Sequence, residues 1–194
     1  MKLPGMFKRD YMQTAIMIVA VILMVLVFWY GLSFVFRTDH PILAVASGSM
    51  EPVLYKGDLI LIEGVKSAAD IHVGTKDSEQ PGDIIVFHRP SGPDELIVHR
   101  AVQRIDNDDG TYSFKTRGDN NIATDWWEVK ESTIIGKYLN FKIPWLGNIA
   151  LFFVPFEVKV AFIGLWIVVL ILVEFSPLII KRFKHDDDDT SLYK

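Results

Sequence analysis

The sequence predicts a mostly β domain, of twisted sheets or a partly closed barrel, flanked by two transmembrane helices. Three observations carry this expectation. Two long apolar stretches, residues 11–36 and 160–180, stand toward the two ends of the chain. Between them lie short runs of β-branched and aromatic residues separated by turn residues, the pattern of strands rather than helices. Lysine and arginine gather just outside the apolar stretches, at Lys2, Lys8 and Arg9 and again at Lys181, Arg182 and Lys184.

The first stretch has no formal charge and exceeds the roughly 20 residues a helix needs to cross a hydrocarbon core of about 30 Å. A cleavable leader is shorter, about 7–15 apolar residues, and ends in small ones. Here Phe28, Trp29, Tyr30, Phe34 and Phe36 stand at the exit, so residues 11–36 read as an anchor. The second stretch carries one charge, Glu174, close enough to Lys181 to reach the interface. The cationic flanks then put both termini in the cytoplasm and the middle outside. The expected organisation is a cytoplasmic N-terminus (1–10), a span (11–36), an extracytoplasmic β domain (37–151), a second span (160–180) and a charged cytoplasmic tail (181–194). Four consecutive Asp residues in that tail read as a solvated segment.

Within 37–151, the run Leu59-Ile60-Leu61-Ile62 between Lys56-Gly57-Asp58 and Glu63-Gly64 fits a short buried strand. Further strands are expected at 42–46, 84–87, 96–102, 111–115 and 134–141. Turn-rich pieces separate them at 90–95 and 106–110, and the polar stretch 66–81 reads as an exposed loop. Trp126, Trp127, Trp145, Phe152 and Phe153 suit either a membrane interface or ordinary core packing.

Composition narrows the chemistry. The chain has 194 residues, room for one compact domain and its anchors. It has no cysteine, which excludes disulfides, zinc thiolates and a cysteine nucleophile. A net charge of −4 argues against nucleic acid as a partner. What remains is hydroxyl, imidazole and carboxylate chemistry.

Three clusters offer it. Ser47-Gly48-Ser49-Met50-Glu51-Pro52 is a small-residue turn after the first strand; most such turns are only turns. It lacks the two glycines that the Gly-x-Ser-x-Gly elbow requires. A serine nucleophile needs a base within reach, and the base needs an orienting partner. Among the histidines, His40 follows the first span, His72 lies in the polar loop, and His185 falls in the cytoplasmic tail. His88 and His99 both fall in strand contexts, and periodicity does not choose between them. The third cluster, Thr116-Arg117-Gly118-Asp119-Asn120-Asn121 followed by Asp125, is a tight turn with two carboxylates, either able to orient an imidazole.

In chain order, the motifs Ser47-Gly48-Ser49-Met50-Glu51-Pro52, Lys56-Gly57-Asp58, Pro81-Gly82-Asp83-Ile84-Ile85-Val86-Phe87, Ile97-Val98-His99-Arg100 and Arg117-Gly118-Asp119-Asn120-Asn121 resemble the type I signal peptidases. The likeness covers roughly residues 42–142, behind an anchor in the expected place. His99 stands where bacterial members carry lysine, so the chain is similar to the archaeal and endoplasmic-reticulum type. That resemblance implies Ser49 as nucleophile, His99 as general base, Asp125 as the residue that orients the imidazole and Asp119 as a further functional aspartate. It also implies an oxyanion hole from the Ser49 N–H and the Ser47 hydroxyl. The family often has two adjacent aspartates where this chain has Thr124 and Asp125, so the choice between Asp119 and Asp125 stays open. The implied reaction is acyl transfer without metal or cofactor. Its substrates are signal peptides of exported preproteins, laid extended along a sheet edge, and its partners are the lipid bilayer and the export machinery. The implied location is an archaeal plasma membrane or the endoplasmic-reticulum membrane. A non-catalytic peptide-binding subunit on the same scaffold is the alternative.

Overall fold

The computed structural model describes residues 5–169 and residue 172. It opens with α1 (Gly5–Phe36), of which Met12–Phe36 is long and apolar enough to cross a membrane. Side chains along that stretch, from Met12 to Tyr30, are exposed from the protein. An unpartnered apolar surface of this length has no place in water. Among the described residues no other helix meets the same test. Of the expected second span, residues 160–169 are helical; its remainder, apart from residue 172, lies outside the described residues, as does the tail at 181–194.

Seven strands follow α1: β1 (Ile42–Ala44), β2 (Leu59–Glu63), β3 (Ile84–Arg89), β4 (Gly92–Asp106), β5 (Tyr112–Arg117), β6 (Val129–Lys130) and β7 (Ile134–Ile143). They form one antiparallel sheet in the order β1-β2-β7-β3-β4-β5-β6. Among the described residues nothing pairs β1 with β6, so the sheet is open: of the two expected forms, twisted sheets or a partly closed barrel, it is closure that is not seen. Closure needs edge strands long enough to pair, and β6 has two residues.

Alternation explains the core. In β3, Ile84 and Val86 point to one face and Ile85 and Phe87 to the other, each into its own cluster of buried side chains. One cluster holds Val45, Met50, Leu54, Ile60 and Ile62; the other holds Ile71, Ala101, Phe114 and Val129. A strand buried on both faces reads as an unbroken apolar run, as β3 does. The run in β2 is different: Ile60 and Ile62 are buried, whereas Leu59 and Leu61 are only half-buried. That strand is therefore covered on one face, not enclosed as expected. β4 is much longer than the expected 96–102, because only Pro90 and Ser91 turn and the strand resumes at Gly92. The loop at 66–81 is not wholly exposed: a 3-10 turn (Ala68–Asp70) leads to Ile71, which is buried in the second cluster.

Trp127 packs against that cluster, while Trp126, Trp145 and Phe152 are exposed. The chain divides into two compact units after Asn148, close to the start of α2 (Gly147–Phe152). In the second unit Phe153 stands edge-on to Phe152 and Phe162 at ring distances of 5.2 and 5.1 Å.

Candidate active site

The turn after β1 is pinned from below. Met50 and Leu54 are buried pegs in the first core cluster, joined by a hydrogen bond from the Leu54 N–H to the Met50 carbonyl. Val45 exchanges backbone hydrogen bonds with Asp58 and Gly57 across its base, at 2.9 and 2.8 Å. With its apolar neighbours turned inward, Ser49 presents its hydroxyl on the other side, 3.2 Å from that of Ser47. The base of the turn has its own lock. The Asp58 carboxylate accepts from the Tyr55 N–H at 3.0 Å and from Lys142 Nζ at 2.8 Å, and Lys142 also donates to the Val53 carbonyl. Burial raises the pKa of Asp58, but the hydrogen bonds from Lys142 and Tyr55, with the Lys142 charge, outweigh it and hold the carboxyl below its ordinary value.

β4 carries His99, which pairs with Ile85 of β3. Its Nε2 lies 3.1 Å from Ser49 Oγ and its Nδ1 lies 2.6 Å from Asp125 Oδ2. A carboxylate accepts from Nδ1–H, which leaves Nε2 as the acceptor for the serine proton. Imidazole and carboxylate are both nearly enclosed, with side chains 9% and 8% exposed. Asp125 is itself fixed by β5: the buried Thr116 donates its hydroxyl to Oδ2 at 2.7 Å, and the Asp125 N–H reaches the Thr116 carbonyl at 2.8 Å.

Asp119 has a different neighbour. Both its oxygens take the Arg100 guanidinium, at 2.8 Å from Nε and 2.6 Å from Nη2, and Arg100 Nη1 donates to the Gly82 carbonyl. This fork-on-carboxylate geometry is the strong form of such a pair. The turn it holds reaches over to the serine. The Asn120 N–H donates to the Ser49 carbonyl at 2.8 Å, and Asn120 Nδ2 to the Gly48 carbonyl at 3.2 Å. A Cβ on Gly118 would fall 2.5 Å from the Ser49 carbonyl, so glycine is what allows the approach.

The structure thus joins Ser47, Ser49, His99 and Asp125 in one hydrogen-bonded series and sets Asp119 one step away, on Arg100. His88 pairs with Leu96 and, by alternation with Ile85, lies on the opposite face from His99. His40 follows α1, His72 is tied to Asp83 through its backbone, and His185 lies outside the described residues. Sequence reasoning gave no role to Thr116, Arg100 or Asn120. Each acts across a turn or between strands, at a separation that local pattern does not reveal. A cleft of about 350 Å³ runs from Ser49 and His99 between β1 and residues 95–99 of β4. β4 meets β5 only from Arg100 onward, and β1 is the sheet's first strand, so both present unpaired backbone edges to the cleft.

A hydroxyl, an imidazole and a carboxylate in series, beside a cleft walled by open strand edges, is the constellation of a serine peptidase that takes extended chains. The chain belongs to the signal peptidase family, peptidase S26, whose model matches residues 11–104. It is 30% identical over 158 residues to the signal peptidase complex catalytic subunit SEC11C of Homo sapiens, covering 77% of this chain and 76% of that protein. The catalytic subunits of Pyrenophora tritici-repentis and Leptosphaeria maculans are 34% and 32% identical, each covering 63% of this chain and 69% of the fungal protein. The enzyme is accordingly a serine endopeptidase.

Proposed function

We propose that this chain is a membrane-bound endopeptidase that removes signal peptides from exported preproteins, with Ser49 as nucleophile, His99 as general base and Asp125 as the group that orients the imidazole. The observation that carries the reading is the unbroken series from Ser49 Oγ through His99 to Asp125 at 3.1 and 2.6 Å. The substrate lies as a strand between the free edges of β1 and β4 and brings its scissile carbonyl to Ser49. Attack by Oγ sends the serine proton to Nε2, and the carboxylate on Nδ1–H supports the imidazolium that forms. His99 returns the proton to the departing amine, and water then repeats the cycle on the acyl-enzyme. The Ser49 N–H and the Ser47 hydroxyl hold the oxyanion, each such donor being worth about 3 kcal/mol. Asp119 supports the site through Arg100 and Asn120 rather than by touching the imidazole.

α1 spans the bilayer with the N-terminus in the cytoplasm, the sheet stands on the outer side, and residues 160–180 return the chain across. The membrane is an archaeal plasma membrane or the endoplasmic reticulum. Because the similar proteins are subunits of a complex, partner subunits and the export machinery are expected neighbours. A single-turnover assay on a membrane-inserted preprotein tests the reading. Ser49→Ala should lower cleavage by at least about four orders of magnitude while the protein still inserts and folds. Near-native turnover by that variant would remove Ser49 as nucleophile.

A further inference from the structure

The passage from α1 into the sheet is a fixed joint and not a tether. Arg37 takes a left-handed conformation, φ 54°, directly after the helix. The Thr38 N–H turns back to the Ser33 carbonyl at 3.2 Å, and the Thr38 hydroxyl accepts the His40 N–H at 3.3 Å. The Pro41 carbonyl accepts the Ile62 N–H of β2 at 2.9 Å, and Thr38 and Pro41 are both buried. On the other side, Gly64 at the end of β2 donates its N–H to the Phe36 carbonyl, the last of α1, at 2.7 Å. A Cβ on Gly64 would fall 2.0 Å from the Arg37 carbonyl oxygen, so only glycine lets β2 come this close. Arg37 and Glu63 add an exposed ion pair at 3.7 Å. The end of α1 is therefore bonded to β2, which pairs with β1, and β1 leads into the turn that carries Ser49.

We infer that this joint fixes the height of Ser49 above the membrane and thereby selects which peptide bond of a membrane-inserted substrate is cut, with Gly64 as the specificity-determining residue. The inference rests on the proposed reading of α1 as a span and of the enzyme as a signal peptidase. A free linker over residues 37–41 would let the sheet wander by about 12 Å, since a flexible chain spreads by about 5–6 Å times the square root of its length. An extended substrate advances about 3.3 Å per residue, so such a tether would blur roughly four neighbouring bonds. A joint held by backbone hydrogen bonds keeps the site within a fraction of one residue.

The test compares wild type, Gly64→Val, which removes the bond to Phe36, and a Gly64→Val chain that also carries Gly-Ser-Gly-Ser between Asp39 and His40, which lengthens the released connection. Each is reconstituted in vesicles with preproteins whose apolar segment is lengthened by one to four leucines. A short soluble peptide carrying the same cleavage sequence is the control. Wild type should favour its best segment length over its worst by at least about tenfold, given how steeply misplacement costs rate, and both variants should fall to about threefold or less. Mass spectrometry of the variants' products should show cuts at neighbouring bonds, while turnover of the soluble peptide stays near the wild-type rate. Variants that keep the wild-type length preference and cut site would overturn the inference. So would a parallel loss of soluble-peptide turnover, because the joint would then shape the site rather than its height. If wild type cleaves no inserted preprotein better than Ser49→Ala, it is the signal-peptidase reading itself that fails.

Discussion

Asp119 and Asp125 lie on one short stretch after β5, both enclosed, yet they face opposite kinds of partner. Asp125 lies on an imidazole, which can take up a proton and give it back, and on the Thr116 hydroxyl. Asp119 lies on a guanidinium, which never gives up its charge. The partner, not the residue type, sets what each carboxylate can do. One can steer a proton; the other can only hold two pieces of backbone together.

The comparison is most sharply tested by Asp125→Asn. It keeps the shape but not the charge that supports the imidazolium, so turnover should drop by about four orders of magnitude with the unfolding midpoint nearly unchanged. If turnover stays within tenfold of wild type, Asp125 does not do this job. Asp119→Asn should show the reverse order of damage. Leaving Arg100 buried without its anion should cost about 3–5 kcal/mol, read as a fall in the denaturation midpoint, with activity lost only as the fold is lost. Pairing Arg100→Met with Asp119→Leu should recover much of that stability, and a double variant no more stable than Asp119→Asn would contradict the holding role.

A smaller effect belongs to Thr116→Val, which removes the hydroxyl that fixes Asp125 but leaves its charge. Turnover should fall about tenfold, in line with one hydrogen bond to a charged group, and KM should change little. Smallest of all is the contribution of Asp58, a third enclosed carboxylate. Its pKa lies below the ordinary value, so its stabilisation is complete above that value and is lost as pH falls through the folded one. The midpoint of wild type should therefore decline on acidification below about pH 4. In Lys142→Met burial is less opposed, and the decline should be shallower; equal slopes would mean Lys142 does not set this carboxyl.

Legibility from sequence followed burial. β3 was readable because both of its faces are covered, which leaves four apolar residues in a row, Ile84-Ile85-Val86-Phe87. β6 was not readable: Val129–Lys130 is a strand only because Phe114 and Ser113 lie beside it. β4 was cut short because Pro90 to Glu95 has the composition of a long turn, while the chain needs only two of those residues to reverse. At the site, motif order gave the residues that the structure gathers, but the local pattern left Asp119 against Asp125 and His88 against His99 open. Strand register separates the histidines, since Ile85 lies opposite His99 and His88 lies opposite Leu96, and the two carboxylates differ in their partners, an imidazole for Asp125 and a guanidinium for Asp119.

β4 places His99 and Arg100 side by side and hence on opposite faces, one toward Ser49 and Asp125, the other toward Asp119. A slip of a single residue against β3 in one direction would set Arg100 in the place of His99, before the serine, and in the other would set His99 in the place of Arg100, before the wrong aspartate. Both pairs would be broken by the same error. A copy with β4 misaligned would thus be inert as well as unstable, so the hydrogen bonds that align the imidazole form together with those that hold the turn.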